Sequence, residues 1–538
     1  MRGEPFRMET TPVSKGATPD TWQERYERLE QEYTKLQQLV AELTARLKWY
    51  EEQFRLARHR QFGAASERTP PEQMHLGLFN EPEVEADPKQ AEPDLETITY
   101  QRRKPRRQRE AVLEDLPVET VEYHLPAQEQ VCPSCHEPLH VMSTEVRREL
   151  KVIPAQVKVV QHVRHVYSCR RCEREGTETP VLTAPMPKPA LPGSLASPSL
   201  LALVMTQKYV DALPLYRQEQ QFDRLGISLS RQTLANWMIQ ASTRWLEPLY
   251  QRLHTHLLAQ PVLHSDETTL QVLREEGRAA ETPSYLWLYR TGRVGPSIVL
   301  YDYQRTRGGE HPKKFLTGFR GYLHVDGYPG YHKVEGVTLV GCWAHARRKF
   351  AEALKALPDT KQKAAVTARE GLEFCNRLFT IERDIRDAPD EERVRVRSER
   401  SRPVVDAFLA WLKAQRPRVL PKSALGQAIA YCLAQWDKLV VFLQDGRLEL
   451  DNNRSERSIK PFVIGRKNWL FSNTPRGAKA SATIYSIIET ARENGLNPLA
   501  YLTWLFEELP QLPDMGDPEA LDRFLPWSPS VPAACRMA

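Results

Sequence analysis

The run Val262-Leu263-His264-Ser265-Asp266 ends on an acid, and Tyr322-Leu323-His324-Val325-Asp326 ends in the same way further along the chain. Short apolar runs bounded by polar or turn residues predict β-strands, and three more such runs follow between residues 284 and 342. Helical periodicity begins at Ala344, so this region is predicted to form a mixed sheet flanked by helices. Acids at the ends of strands can converge on one crevice of such a sheet.

A third acid stands in Asp451-Asn452-Asn453-Arg454-Ser455-Glu456-Arg457, where an amphipathic helix is predicted to begin. Asp451 and the asparagines suit a helix start because their short side chains accept the free N–H groups of the first turn. Together with Asp266 and Asp326, Glu456 offers hard oxygen ligands of the kind that Mg²⁺ prefers where phosphate is handled. The alternative is that these acids are turn formers or ion-pair partners, and sequence spacing alone does not decide between the two.

Length and composition describe a multidomain protein. The chain has 538 residues, of which 41% are hydrophobic, and this is too long for a single core. The formal charge of +6 permits a nucleic-acid partner without requiring one. The sequence shows no secretory signal pattern and no apolar run that could span a bilayer. We therefore expect a cytosolic protein without a membrane partner.

The N-terminal part is predicted to contain a coiled coil. Residues 1–20 lack periodicity and are expected to be a disordered tail. Residues 21–60 carry apolar side chains in alternating steps of four and three, which is the heptad pattern of a self-associating coiled coil. The alternative is a long helix that packs on its own domain. We expect a homo-oligomer formed through this segment.

A linker rich in Glu, Pro, Asp and Gln is predicted over 64–110, and it ends in a basic run. The run is interpreted either as a solvated tail or as an arm that binds DNA phosphates. The candidate DNA-binding residues in it are Arg102, Arg103, Lys104, Arg106 and Arg107.

Two C-x-x-C pairs predict a zinc module over 111–180. The ligands would be Cys132, Cys135, Cys169 and Cys172. Two knuckles of this kind complete a closed tetrahedral Zn²⁺ site, and the strand-like residues between them suit a zinc ribbon. A redox C-x-x-C is the alternative for a single pair, but two pairs favour metal.

Residues 199–258 are predicted to be helical, with a break at Gly226 before a polar second helix. This pattern is typical of a helix-turn-helix, in which Arg231, Gln232 and Asn236 would face DNA. A plain helical bundle beneath a catalytic domain explains the pattern equally well.

Five motifs in order resemble the insertion-sequence sixty-six family of DDE transposases. They are His264-Ser265-Asp266-Glu267-Thr268, the stretch from His324 to Tyr331, the stretch from Cys342 to Phe350, the stretch from Asp451 to Arg457 and the stretch from Arg466 to Phe471. The resemblance also covers the coiled coil and the cysteine pairs. It implies a ribonuclease-H-like catalytic domain over 259–500, with Asp266, Asp326 and Glu456 as a triad that binds Mg²⁺ or Mn²⁺. It also suggests accessory proteins encoded beside the gene.

Within that domain a mostly helical insertion is expected at about 355–448, and 501–538 is expected to be a C-terminal tail. Cys342 and His345 are expected to brace the turn beside the site, with metal binding as the less favoured role. The bases from Arg393 to Arg402 are interpreted as a solvated helix side rather than a DNA surface. The candidate phosphate contacts are Arg347, Arg348, Arg457, Arg466 and Lys467.

The aromatic residues Trp469 and Phe471 either stack on exposed bases or pack in the core.

Taken together, the sequence predicts a multidomain α+β transposase that binds element ends, cleaves DNA and transfers strands. Two alternatives remain at this stage. One is a non-catalytic zinc-containing DNA-binding protein, and the other is a ribonuclease-H-like nuclease without strand transfer.

Overall fold

The computed structural model describes residues 26, 29–37, 39–40, 43–44, 157–168, 174, 181–356 and 366–537. The chain divides into one compact unit formed by 1–63 with 163–538 and another formed by 64–162. The described residues do not include the predicted N-terminal tail (1–20), the linker, the basic run or any of the four zinc-module cysteines. So does most of the predicted coiled coil.

A five-stranded mixed sheet is the centre of the described fold. Its strands are β3 Val262–Leu270, β4 Ser284–Thr291, β5 Val299–Gln304, β6 Gly321–Val325 and β7 Val337–Gly341, in the order β5-β4-β3-β6-β7. The pairs β3–β4 and β4–β5 are antiparallel, whereas β3–β6 and β6–β7 are parallel. The prediction of five strands is confirmed. A separate two-stranded antiparallel sheet joins β1 Val166–Ser168 to β2 Val181–Thr183.

The helices are numbered from Pro198 onward. They are α1 Pro198–Tyr209, α2 Leu215–Arg224, α3 Arg231–Ala241, α4 Glu247–Leu258, α5 Glu310–Phe315, α6 Trp343–Lys355, α7 Val366–Asp384, α8 Asp390–Val396, α9 Arg402–Gln415, α10 Ala424–Ala434, α11 Trp436–Leu439, α12 Asn453–Trp469, α13 Pro475–Glu493, α14 Pro498–Glu508 and α15 Pro518–Asp522. Two π-helical segments are Ser242–Leu246 and Arg397–Ser401. Short 3₁₀ segments are Pro329–Lys333, Arg416–Arg418, Val441–Leu443, Leu509–Gln511 and Ala533–Cys535.

Helix α13 covers the β5 edge of the sheet. Ser486 Oγ accepts the backbone N–H of Tyr301 at 2.8 Å, and Thr490 Oγ1 accepts that of Val299 at 3.0 Å. These side chains satisfy edge N–H groups that would otherwise be left unpaired. Most of α13 is therefore buried, although its sequence is rich in small and polar residues.

Within the region 199–258, helices α2 and α3 are separated by a turn at Gly226, whose φ is +79°. Ser230 caps α3, because its Oγ accepts the N–H of Thr233 at 3.2 Å. Leu234 and Trp237 turn inward, whereas Arg231, Gln232 and Asn236 are exposed; these are the three side chains that the sequence assigned to DNA.

The helices from α7 to α11 form a second core with α6 and the β7 side of the sheet. The interpretation of the bases after residue 392 as a solvated helix side is wrong for two of them. Arg393 and Arg397 are buried, and both pair with Glu382, at 3.2 and 2.7 Å. Helical periodicity did not reveal this, because it shows which side chains share a face but not that Glu382, on α7, supplies a counter-charge to that face.

The expectation of a C-terminal tail is also wrong. Residues after 500 form α14 and α15 and contribute Tyr501, Leu505 and Phe524 to the first core. The main chain is fixed near the end as well, since Asn497 N donates to Cys535 O at 2.7 Å and Met537 N to Gly495 O at 2.8 Å. None of the helices that the structure describes is both long enough and apolar enough to cross a bilayer.

Candidate active site

Asp266 and Asp326 lie on two neighbouring strands in the interior of the central sheet. The prediction that the first strand ends at Asp266 is wrong, because β3 continues to Leu270, whereas Asp326 directly follows β6 as expected. Strands β3 and β6 run parallel, and His264 is the register partner of His324. Each aspartate lies two residues beyond its histidine. Because neighbouring strands are about 4.8 Å apart, two acids at matched positions are brought side by side.

Glu456 belongs to the first turn of α12. Its Oε2 lies 3.4 Å from Arg348 Nη2, and its Oε1 lies 3.9 Å from His345 Nε2. Both partners are on α6, which follows directly from β7. The carboxylate of Glu456 therefore lies beside polar and cationic side chains of the helix that follows β7.

The three predicted acids interact electrostatically. Burial raises the pKa of Asp266 well above its usual range, and the charges of Glu267, Asp326 and Glu456 raise it further. A divalent cation would relieve this repulsion, and carboxylate oxygens are the donors that Mg²⁺ and Mn²⁺ prefer. Within the described ranges, however, no three His, Cys, Asp or Glu side chains already stand at metal-binding distances. The donor chemistry thus fits a hard cation, although Glu456 currently pairs with α6.

Asp451, the other acid of the motif, is used differently. Its Oδ1 accepts the N–H of Asn453 at 3.0 Å, and its Oδ2 accepts the side-chain amide of the same residue at 2.7 Å. Burial raises the pKa of Asp451 to about 6. Asp451 therefore shapes the helix start, as the sequence suggested for this residue.

Asn452 ties the start of α12 to the strand that carries Asp266. Its Nδ2 donates to the Ser265 carbonyl at 2.8 Å, and its Oδ1 lies 2.9 Å from His264 Nδ1. Its backbone N–H donates to Cys342 Sγ at 3.2 Å. Asn452 thus joins β3 to Cys342, the residue that follows β7. The position of the Glu456 helix is defined relative to both.

A second set of contacts supports this junction. Glu449 Oε2 lies 3.2 Å from His264 Nε2 and 2.7 Å from Arg454 Nε. The rings of His264 and His324 stack with centroids 4.2 Å apart. Burial lowers the pKa of His324 well below its usual range, and the charge of His264 lowers it further. His324 is therefore a neutral, packed ring next to Asp326.

Cys342 is buried, and burial raises the pKa of its thiol to about 12. Its hydrogen bond from Asn452 makes it a contact of the helix junction. His345 instead faces Glu456, and burial lowers its pKa.

Sequence reasoning missed a cluster around Glu267. Tyr331 donates to Glu267 Oε2 at 2.6 Å, and Arg307 Nε donates to Oε1 at 2.8 Å. The Arg307 guanidinium also stacks over the Tyr328 ring, 4.1 Å from its centroid. Burial raises the pKa of Glu267, and the charge of Asp326 raises it further. Although burial opposes it, the hydrogen bond and charge of Glu267 raise the pKa of Arg307, with a smaller contribution from Asp326. The sequence could have indicated this cluster, because Glu267 is adjacent to Asp266 and two tyrosines follow Asp326. Arg307 belongs to no motif, so the sequence did not indicate its part in the cluster.

The remaining predicted phosphate contacts are dispersed. Arg457 and Lys467 are exposed on α12, and Arg347 is exposed on α6 with its Nε donating to Asn376 Oδ1 at 2.8 Å. Arg348 contacts Glu456 instead. Arg466 Nη1 donates to Thr268 Oγ1 at 3.3 Å and to Thr269 on β3, and its role as a phosphate contact stays a prediction.

Sequence models of known protein families match both described and undescribed parts of the chain. Residues 193–480 match the sequence model of "Transposase IS66 family", and residues 486–527 match "IS66 C-terminal element". Residues 129–173 match "zinc-finger binding domain of transposase IS66", within the predicted zinc module. Residues 49–121 match a leucine-zipper model described as "Transposase C of IS166 homeodomain", which overlaps the predicted coiled coil and linker.

Two similar proteins come from Sinorhizobium fredii, and both are described as uncharacterized. The protein y4hP is 34% identical over 407 residues, which covers 72% of this chain and 71% of that protein. The protein y4jD is 33% identical over 413 residues, covering 74% and 78% respectively. With the family model matched over more than half of its length, the chain belongs to the IS66 family of transposases, with the DDE transposase domain of that family.

Proposed function

We propose that this transposase binds the ends of its own insertion sequence, cleaves the DNA strands there and transfers them to target DNA. Asp266, Asp326 and Glu456 are its catalytic residues. The observation that carries the proposal is the parallel register of β3 and β6, which brings Asp266 and Asp326 side by side, with the start of α12 fastened to β3 through Asn452. Burial, followed by the charges of Glu267, Asp326 and Glu456, raises the pKa of Asp266 well above its usual range, which supports the proximity of the three acids.

The same three acids would hold Mg²⁺ or Mn²⁺. When bound, the cation supplies activation of water or a 3′-hydroxyl and stabilisation of the leaving oxygen of a phosphodiester. The protein's own contribution is positional. The Asn452 junction sets the helix that bears Glu456 against the strand that bears Asp266, and Arg348 with His345 holds the Glu456 carboxylate before metal arrives.

Arg307 is the cation best placed to meet a phosphate at this site. Glu267 and Tyr328 fix its guanidinium on two sides, and the charge of Asp326 acts on it. A guanidinium held in this way can offer its remaining N–H groups to a phosphate oxygen. Arg457 and Lys467 extend positive charge along α12.

The other predicted modules complete the proposal. The strand order and the crossover between β3 and β6 support a ribonuclease-H-like core with a helical insertion. Zn²⁺ bound by Cys132, Cys135, Cys169 and Cys172 would shape a zinc ribbon, and α2 with α3 would act as a helix-turn-helix on element ends. The heptad segment would form a homo-oligomer that brings two ends together. We expect this assembly to act in the bacterial cytosol on the nucleoid, with accessory proteins where the element encodes them.

The test is mobilisation from a donor plasmid that carries the native DNA flanking the gene. Glu456→Gln keeps the size of the side chain and removes its charge, so cation binding is lost while folding and DNA binding are retained. We expect insertions from the wild type and a loss of at least about 1,000-fold in the variant, since metal-assisted chemistry supplies several kcal/mol.

Glu508→Gln, at an exposed position on α14, is the matched control and should transpose like the wild type. Equal insertion by Glu456→Gln and wild type would remove Glu456 from the catalytic set. A wild type that binds the flanking DNA but never inserts it, with every accessory gene supplied, would favour a DNA-binding role without strand transfer.

A further inference from the structure

Helix α12 ends in an unusual turn. Leu470 has φ 66° and ψ −53°, and Phe471 N donates to Trp469 O at 2.8 Å. A hydrogen bond between residues two apart, around a centre with positive φ, is the strained form of the γ-turn. Among the described residues, Leu470 and Ala212 alone combine positive φ with a side chain other than glycine's.

The surroundings impose this conformation from both sides. Leu470 N donates to Arg466 O at 2.7 Å, which closes the helix. Beyond the turn, Ser472 N donates to Gln271 O and Leu273 N to Ser472 O, both at 3.0 Å, so the chain joins the loop that follows β3. Strain that neighbouring contacts enforce is typical of functional sites.

Leucine is not the residue that the fold alone would select here. Glycine or asparagine adopts positive φ with far less strain. The Leu470 side chain is 61% exposed, so it is not retained for burial. Phe471 beside it is 43% exposed, whereas Trp469 is partly buried with its ring 5.4 Å from that of Phe462. The turn therefore presents two apolar side chains to solvent at a cost in backbone strain.

The charges around this apolar tip, defined as Leu470 and Phe471, are mainly positive. Leu470 lines a hollow with Arg466, Lys467 and the end of β3, and Glu281 is the acid among the lining residues. Positive charge around apolar side chains suits nucleic acid, because phosphates meet the bases while base faces meet the apolar groups.

The tip also lies within reach of the acids. Thr269, which lines the hollow, is three residues beyond Asp266 on β3, or about 10 Å along the strand. Leu470 lies fourteen residues after Glu456 (470 − 456), or about 21 Å along α12. At about 3.4 Å per nucleotide, these spans correspond to roughly three to six nucleotides.

We propose that Leu470 and Phe471 form a wedge that contacts unpaired or unstacked bases about three to six nucleotides from the phosphate held at the catalytic acids. The inference rests on the proposed function, because it takes DNA as the bound partner. The wedge would hold the end of the duplex open, and Lys467 would contact the adjoining backbone.

The test compares full-length proteins on duplexes made from the native flanking DNA. Each duplex carries a four-nucleotide unpaired stretch that is moved along the terminal sequence, with 2-aminopurine as the reporter base. The wild type should prefer one position of the stretch over the fully paired duplex. Leu470→Asn and Phe471→Ala should each reduce that preference at least about fivefold, the lower range for loss of a base stack.

Leu470→Asn should not lower the melting temperature, since asparagine tolerates the positive φ. The matched control is Leu499→Asn on α14, where the leucine is 38% exposed, and it should retain the full preference. Glu456→Gln should also retain it while losing strand cleavage, so failure of the catalytic assignment is distinguishable from failure of the wedge.

Three results would overturn the proposal. The first is a wild type without preference at any position, and the second is an unchanged preference in both tip variants. The third is a change in the sedimentation of Leu470→Asn with its base preference intact, because the tip would then be a contact between protein chains.

Discussion

At the scale of single residues, Asn452 connects three separate segments of the chain. Both ends of its amide are used inside the protein, on His264 and on the Ser265 carbonyl, while its N–H reaches Cys342. A buried amide with all its groups satisfied specifies one arrangement, because any displacement leaves polar groups without partners. The relative position of Asp266 and Glu456 therefore depends on this residue.

We predict that Asn452→Ala destabilises the protein by about 2 to 4 kcal/mol, since the buried Nδ1 of His264 and the Ser265 carbonyl then lose their hydrogen bonds to the amide. Urea unfolding of the full chain measures the effect. Asn468→Ala removes one exposed hydrogen bond to Ala212 O and should change the stability by less than about 1 kcal/mol. Similar losses in both variants would contradict the role assigned to Asn452.

Glu449 makes a pH-dependent contribution beside the same junction. Although burial opposes it, the hydrogen bonds and charges of His264 and Arg454 lower the pKa of Glu449 below its ordinary 4.5. A carboxyl whose pKa is lower in the folded state stabilises the protein above the unfolded pKa, and this stability is lost as the pH falls through the folded pKa.

We therefore predict that the free energy of unfolding separates wild type from Glu449→Gln most at neutral pH, with the wild type more stable. The separation should shrink as the pH falls below about 4.5. Denaturant titrations at a series of pH values measure it. A separation that is constant with pH, or that grows in acid, would show that Glu449 does not titrate in this way.

At the scale of elements, the helical insertion fastens the segment that leads to α12. Arg397 is buried and donates to Phe442 O at 2.7 Å and to Leu448 O at 2.8 Å, while its Nε and Nη2 donate to the two carboxylate oxygens of Glu382. Leu448 immediately precedes Glu449 and the Asn452 junction. The Arg397 side chain thus links the insertion to the segment that leads to the Glu456 helix.

We predict that Glu382→Gln destabilises the protein by about 3 to 5 kcal/mol, because it leaves Arg393 and Arg397 buried without a counter-charge. Asp384→Asn is the control on the same helix, since Asp384 pairs with Arg400 in an exposed bridge at 2.7 Å. Its cost should be about 0 to 1 kcal/mol. Chemical denaturation compares the two, and equal costs would mean that the buried arginines do not depend on Glu382.

At the scale of the whole molecule, the N-terminal heptad seam indicates how chains associate. Within the described stretch 29–37 the chain is helical, and Leu29, Tyr33 and Leu36 are exposed on it. A leucine-zipper match begins at residue 49, further along the same region. Apolar side chains repeated at heptad spacing become stable when a second helix covers them.

We predict that Leu36→Lys weakens self-association of the full chain by at least tenfold, since it places a charge in the seam. Gln37→Lys adds the same charge one residue outside the seam and should associate like the wild type. Sedimentation equilibrium over a range of concentrations measures both. Unchanged association of Leu36→Lys would assign the oligomer interface to another part of the chain.

Local patterns in the chain were enough to predict five strands, the start of α12 and the family. Strand alternation, helix caps and short motifs are properties of neighbouring residues, so they can be recognised before folding is considered. The same patterns named Asp266, Asp326 and Glu456 as candidates.

Other features depended on contacts between residues far apart in the chain. The parallel pairing of β3 with β6 puts two aspartates side by side, Arg397 is buried, and Arg466 donates hydrogen bonds to β3. Arg307 reaches the site from a loop without any motif, and the strained turn at Leu470 exists because a helix and a loop fix its two ends. Burial and pairing partners are set by the free energy of the whole packed molecule, and for that reason neighbouring residues alone do not reveal them.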